Sequence, residues 1–176
     1  MSAGPRPPAE RAGLGRRLGS LAYEMLLAAA IVLLAGFATA PVVTPAARGV
    51  LVVPGFVGRA VGLVIVVAVL GAYFVWCWSG GRRTLPMKTW RLRLVRAGDG
   101  SGVDARAAVV RFAAAGAGPA LAVAVYALTQ ARTAWVLVAC GYLWALVDRD
   151  RAFLHDRVAG TALVFDPAAK PAKTSA

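Results

Sequence analysis

The sequence is short of acidic residues, histidine and cysteine. Its 176 residues include 8 Asp and Glu, 1 His and 2 Cys, against 20 Lys and Arg. Cys77 and Cys140 both lie inside apolar stretches, so neither a zinc site nor a disulfide framework is predicted. Charged residues make up only 16% of the chain and hydrophobic residues 59%, against roughly 25% and 45–50% in soluble domains. These proportions exclude a purely soluble enzyme, a disordered chain and a disulfide-stabilised secreted module.

Four apolar runs hold most of the hydrophobic residues, and they cover residues 21–40, 60–79, 112–131 and 134–147. The first three have the length of about 20 residues that a helix needs to cross the hydrocarbon core. Pro119 predicts a kink in the third run because it removes a helical hydrogen bond. The fourth run is shorter, and we expect it to tilt into place, to extend into Asp148 or to be re-entrant.

Basic residues are unevenly distributed among the segments that connect these runs. The N-terminal arm, the link between the second and third runs and the C-terminal tail are rich in Arg and Lys, whereas the other two links contain few. Cytoplasmic segments carry such an excess, so the pattern predicts four crossings of the bacterial inner membrane with both termini in the cytoplasm. The net charge of +12 then lies beside anionic lipid headgroups, and nucleic-acid binding is not expected.

The chain ends and one cytoplasmic link complete the predicted architecture. Residues 1–13 and 167–176 have compositions typical of disordered segments, which leaves a membrane domain at 14–166. Residues 90–96 alternate apolar and basic side chains, and residues 161–165 favour a strand. We predict that the two segments pair on the cytoplasmic face; the alternative for 90–96 is an unpaired segment at the membrane surface. The predicted fold class is an all-α membrane protein, a four-helix transmembrane bundle with this small β element.

Glu24 is the most informative ionisable residue, because a carboxylate inside an apolar helix is costly and usually has a partner or a function. Arg17 lies two turns earlier, too far for a direct intrahelical contact, so we expect it to reach headgroups or another helix. Arg111, at the edge of the third run, is the expected partner of Glu24 across the bundle. A second polar cluster follows the fourth run and contains Asp148, His155, Asp156 and Arg157. It has no nucleophile at motif spacing, so catalysis is not expected.

These residues and their order resemble the RDD family of bacterial membrane proteins over roughly residues 16–165. The family is named for an Arg before the first helix, an Asp within that helix and a second Asp. Arg17 matches the Arg, Glu24 stands where the family usually has the first Asp, and Asp156 is the best match for the second. The block 84–95 resembles the family's middle motif, with Pro86 where Gly is common.

The resemblance implies a small polytopic inner-membrane protein and, for some members, cation/proton exchange. One hypothesis is that Glu24 and Asp156, moderated by Arg17 and Arg111, bind a proton or a small cation at the inner leaflet. The alternative is a non-catalytic module in which these charges lock the helices together and the basic cytoplasmic face docks lipid or a protein partner. Close small residues also suggest homo-oligomerisation. No metal or cofactor is expected.

Overall fold

The structure is a computed structural model that describes residues 11–43 and 54–166. The elements in chain order are α1 (Leu14–Val43), α2 (Phe56–Trp78), α3 (Leu85–Thr89), β1 (Leu92–Arg96), α4 (Ala105–Thr129), α5 (Val136–Leu143), α6 (Leu154–Ala159) and β2 (Thr161–Phe165). Helices α1, α2 and α4 are long and apolar enough to cross a membrane. Their exposed side chains include Leu33, Leu63 and Leu121, as expected of surfaces that face lipid. The predicted all-α membrane fold is confirmed.

The fourth apolar run forms a broken helical segment. Turns of 3-10 helix at Arg132–Trp135 and Trp144–Leu146 flank α5. The 8 residues of α5 rise about 12 Å and the 3-10 turns of 4 and 3 residues rise about 14 Å together, so the segment 132–146 is about 26 Å long, less than the hydrocarbon core of about 30 Å. The described residues therefore contain three helices of spanning length, and the fourth crossing stays a prediction.

Helices α4 and α5 nevertheless pack closely. A Cβ atom added to Gly118 would lie 2.9 Å from the carbonyl oxygen of Leu137, so a larger residue at this position would collide with backbone. Pro119, which follows, lies inside α4 and does not end the helix. The close approach explains how the short segment stays against a spanning helix without long side chains between them.

β1 and β2 form a two-stranded antiparallel sheet at one end of the helices. The register pairs Leu92 with Phe165 and Arg96 with Thr161, which confirms the predicted pairing of the two segments. The strand begins at Leu92 and not at Trp90, because Arg91 has a φ of 54°, which is outside the extended region. We call this end of the protein the sheet end.

The two ends of the described chain meet at the sheet end. Arg11 forms a bridge with Val164, and the N–H of Ala12 donates to the carbonyl of Leu163 at 3.1 Å. Most of the predicted arm and all of the predicted tail fall on residues 1–10 and 167–176, outside the described residues. The prediction of a disordered arm over residues 1–13 is wrong for Arg11 and Ala12, because both residues pair with β2.

A small hydrophobic core joins the sheet to the helices. Leu92 and Leu163 project from the two strands, Trp78 from the end of α2, Met87 from α3 and Ala108 from α4. Leu92 and Ala108 are fully buried. The alternation predicted for 90–96 therefore serves to place one apolar face of the sheet over the ends of α2 and α4.

Candidate functional site

A buried ion pair lies where α4, α6 and β2 meet. The guanidinium of Arg111 contacts the carboxylate of Asp156 through Nη1 and Oδ1, and the two residues are only 2% and 1% exposed. The hydroxyl of Thr161 accepts from Nη1 of Arg111 and donates to Oδ1 of Asp156, both at 3.1 Å. Removing charges from water is costly, so each needs this pairing and hydrogen bonding to remain buried.

The local fold explains how these residues come together. Gly160 ends α6 in the left-handed region, with a φ of 62°, a conformation that glycine adopts without strain. The turn at Gly160 directs the chain into β2, so that Thr161 lies beside Asp156. The indole of Trp78, at the end of α2, lies against the guanidinium of Arg111 with 4.7 Å from Cζ to the ring centre. This cation–π contact gives the charge a further favourable neighbour.

Glu24 is half-buried on α1 and is linked to α3. Its Oε1 accepts from the hydroxyl of Thr84 at 2.8 Å. Thr84 is also the N-cap of α3, where its hydroxyl accepts from the N–H of Met87 at 3.3 Å. The expected ion pair between Glu24 and Arg111 is wrong: the guanidinium of Arg111 is bound to Asp156 instead. The charges of Glu24 and Arg111 still attract each other across a longer distance.

Arg17 is also buried, which the sequence did not predict. It is 3% exposed, and its guanidinium donates to the carbonyl of Arg151 at 2.7 Å and to that of Leu163 at 3.5 Å. These hydrogen bonds go to a loop and a strand, not to another helix. They fix the first turns of α1 to β2 and to the loop that precedes α6.

A more exposed network holds that loop in place. Asp148 accepts from Nε of Arg157 at 2.8 Å and from the N–H of Ala152 at 2.9 Å. The hydrogen bond from Arg157 is the main reason that the pKa of Asp148 is lowered to about 2. Arg157 also binds Asp150 at 2.7 Å, and Asp150 forms an ion pair with Arg11. Asp148 and Arg157, which belong to the polar cluster predicted after the fourth run, thus hold the loop that leads into α6.

His155 lies beside the buried pair in an aromatic environment. Its ring centre is 5.7 Å from that of Tyr142 and 5.5 Å from that of Phe153, and its Nε2 is 3.9 Å from Oδ2 of Asp156. Burial, followed by the nearby charge of Arg111, lowers the pKa of His155 to about 2. His155 is therefore neutral at physiological pH.

Sequence reasoning missed three residues of this cluster. Thr84 could have been found as a helix N-cap, because it precedes Leu85 and Pro86 and proline favours the first turn of a helix. Thr161 appears in the sequence only as the first residue of a strand, and Trp78 only as one of several aromatic residues near the end of α2. Their contacts with Asp156 and Arg111 depend on how the elements pack.

Comparison with known proteins identifies the family. The model of the RDD family matches residues 11–160, which is most of the chain. The chain belongs to the RDD family. No curated protein and no solved structure matches it.

Membership of the RDD family and the three long apolar helices make the protein an integral membrane protein. The assignment of Arg17, Glu24 and Asp156 as its signature residues stays a prediction. The structure places all three at the sheet end, in separate contacts: Arg17 with backbone carbonyls, Glu24 with Thr84, and Asp156 with Arg111.

We predict that His155→Gln reduces the loss of stability in mild acid. The folded protein keeps His155 neutral because its pKa is about 2, whereas an unfolded chain has a histidine pKa near 6.5. Between these values the unfolded state binds one more proton, so this group lowers the free energy of unfolding as the pH falls. The expected slope is about 1.4 kcal/mol per pH unit between about pH 6 and pH 4. Denaturation of the detergent-solubilised protein across that range measures it.

Asp99→Asn is the matched control for this experiment, because Asp99 lies in an exposed turn and its pKa is lowered by hydrogen bonds from Ser101. Its lowered pKa and the ordinary aspartate pKa of about 3.9 both lie well below pH 5, so the variant should leave the slope between about pH 6 and pH 5 unchanged. A wild-type slope in His155→Gln would contradict the assignment of His155 as the neutral buried group.

Proposed function

We propose that this RDD protein is a membrane module that binds anionic phospholipid headgroups at the cytoplasmic leaflet. The distribution of charge supports an orientation with the sheet end in the cytoplasm. Among the described residues, every Lys and Arg lies at the sheet end except Arg59 and Arg132. Basic residues near spanning helices are concentrated on the cytoplasmic side. In this orientation, in a bacterial inner membrane, both termini are cytoplasmic.

An open groove at the sheet end carries the proposal. It is lined by Arg16, Thr89, Trp90 and Arg91, none of which is acidic, and we call it the headgroup groove. The guanidinium groups of Arg16 and Arg91 are donors that suit a phosphate. The groove adjoins the first turns of α1, where a spanning helix would leave the hydrocarbon core. A headgroup in the groove would therefore have its acyl chains beside α1.

Packing holds the groove in shape. A Cβ atom added to Gly19 would lie 2.5 Å from the indole of Trp90, so the indole packs directly on the backbone of α1. Trp90 remains 38% exposed, as is typical of tryptophan at a membrane interface. The guanidinium of Arg16 lies 4.1 Å from the ring centre of Phe165. Both sides of the groove thus rest on rigid neighbours, which reduces the entropy that binding would cost.

We predict that the double variant Arg16→Gln/Arg91→Gln weakens binding of phosphatidylglycerol. Each basic residue near an anionic membrane surface contributes about 1 kcal/mol, so losing two lowers the affinity by about thirtyfold. Native mass spectrometry of protein titrated with phosphatidylglycerol measures the effect, with phosphatidylcholine as the neutral lipid. The matched control is Arg59→Gln/Arg132→Gln, which removes two charges from the opposite end. Equal retention of phosphatidylglycerol by the two double variants would rule out the headgroup groove.

Proton-coupled movement of a small cation is the second candidate function, and Glu24 is the residue that favours it. Glu24 is an acidic side chain within a spanning helix, and its carboxylate contacts the neutral hydroxyl of Thr84. A carboxylate that is not locked in an ion pair can exchange a proton or a cation with the adjoining leaflet. Arg111 is close enough to influence its charge, and Asp156 shares Arg111, so the two acids are electrostatically coupled.

We expect purified protein in liposomes to show proton-linked cation flux above protein-free liposomes if this second function holds. Glu24→Gln should abolish that flux because the amide cannot exchange a proton at this position. Asp99→Asn removes an exposed carboxylate and should leave the flux unchanged. Absence of wild-type flux, or equal flux from Glu24→Gln, would exclude transport through Glu24.

A further inference from the structure

The headgroup groove presents two arginines that come from different elements. Arg16 lies in the first turn of α1, and Arg91 lies between α3 and β1. Both residues are exposed, and the ion pairs within the part of the chain that the structure describes involve neither of them. Asp166, whose N–H donates to the carbonyl of Arg91, directs its carboxylate to Arg83 at 3.3 Å. Both guanidinium groups are therefore open to a ligand of the groove.

Separate contacts hold the two arginines in place. The guanidinium of Arg16 lies over the ring of Phe165, whereas the backbone of Arg91 is held by the hydrogen bond of 2.9 Å from Asp166. The indole of Trp90 packs on the backbone of α1, so the segment that carries Arg91 is fixed beside the helix that carries Arg16. The groove thus offers two positive charges at two separately fixed positions.

The backbone at Arg91 points to a function of its side chain. Its φ of 54° lies in the left-handed region, which costs free energy for a residue that has a Cβ atom and which glycine adopts freely. The turn from α3 into β1 therefore retains an arginine at a cost in stability. Residues held in such strained conformations cluster at binding and catalytic sites.

Thr89 supplies a different chemical group to the groove. Its hydroxyl already donates to the carbonyl of Leu85 at 3.1 Å, so a ligand meets the hydroxyl oxygen as an acceptor. The groove therefore combines two positively charged donors with one acceptor that suits a hydroxyl group. Its volume of about 340 Å³, against about 10–15 Å³ for one water on the same measure, leaves room for more than one phosphate.

We propose that the headgroup groove binds cardiolipin, a lipid with two phosphodiester groups joined by a glycerol that carries one free hydroxyl. One phosphate accepts from the guanidinium of Arg16 and the other from that of Arg91. The glycerol hydroxyl donates to Oγ1 of Thr89. A lipid with a single phosphate leaves one of the two arginines without a direct phosphate contact. The proposal rests on the proposed function, because it names the anionic lipid that the same groove takes.

Native mass spectrometry of the full chain in detergent, titrated separately with cardiolipin and with phosphatidylglycerol, tests the proposal. A surface that responds only to the number of phosphates favours cardiolipin in proportion to its two phosphates. A second direct contact between an arginine and a phosphate should raise the preference by about fivefold beyond that proportion. A preference that only equals the ratio of phosphates would overturn the proposal.

The same titrations separate this proposal from the proposed function. Phosphatidylglycerol binding that is weaker in Arg16→Gln/Arg91→Gln than in Arg59→Gln/Arg132→Gln supports the headgroup groove. If the wild type then prefers cardiolipin only in proportion to its phosphates, the groove takes lipids with a single phosphate, so the proposed function stands and the cardiolipin proposal fails. If the two double variants retain each lipid equally, both proposals fail.

Arg91→Gly connects the preference for cardiolipin to one arginine. Glycine removes the guanidinium and relieves the positive φ, so the variant should fold as the wild type does. Its preference for cardiolipin should fall to the ratio of phosphates, because only Arg16 remains to contact a phosphate.

Arg151→Gly is the matched control for Arg91→Gly. Arg151 is also exposed at the sheet end and has a φ of 49°, but it does not line the groove. Its replacement removes the same charge and relieves the same kind of strain, and it should leave the preference for cardiolipin unchanged. Equal preferences in the two glycine variants would show that Arg91 contacts no phosphate, and the proposal would fail.

Thr89→Val tests the contact with the glycerol hydroxyl, because valine replaces the hydroxyl with a methyl group of similar size. Loss of this hydrogen bond should weaken cardiolipin binding by about fivefold. Deoxycardiolipin, which lacks the free hydroxyl, is the control lipid and should bind to Thr89→Val as it binds to the wild type. If Thr89→Val weakens the binding of both lipids alike, the hydroxyl does not lie at Thr89 and the proposed arrangement is wrong.

Discussion

At the point where α4, α6 and β2 meet, the guanidinium of Arg111 and the carboxylate of Asp156 are held together out of contact with water. Neither charge could remain there alone, because burying an uncompensated charge costs several kcal/mol. Thr161 and Trp78 complete the surroundings of the pair. The position of the sheet on the helix ends is therefore fixed by a contact that tolerates little displacement.

The other polar contacts extend this arrangement to the remaining elements. Arg17 connects α1 with β2, and the hydrogen bond between Glu24 and Thr84 connects α1 with α3. Within a membrane, helices gain little from burying apolar surface against one another, so polar contacts and close small residues specify their packing. The length of the spanning helices thus follows from their apolar composition. Their arrangement at the sheet end is set by a few charged side chains. The same concentration of charge creates the headgroup groove.

Sequence patterns predicted the features that depend on neighbouring residues. The apolar runs located α1, α2 and α4, and the alternation at 90–96 located β1. The partners of the charged residues could not be predicted, because they are set by helix rotation and by turns such as that at Gly160. Glu24 and Arg111 carry opposite charges and both lie toward the sheet end, yet Arg111 pairs with Asp156 because α6 folds back onto α4. The only sequence feature that indicated a break in the fourth run is that this run is shorter than the other three.

A double-mutant cycle on Arg111 and Asp156 tests the central claim most directly. The free energy of unfolding in detergent would be compared for the wild type, Arg111→Met, Asp156→Leu and the double variant. Each single change leaves a buried charge unpaired and should cost about 3–5 kcal/mol, whereas the double variant should cost far less than the sum. Additive losses would show that the two residues act independently and that the sheet is held to the helices by other contacts.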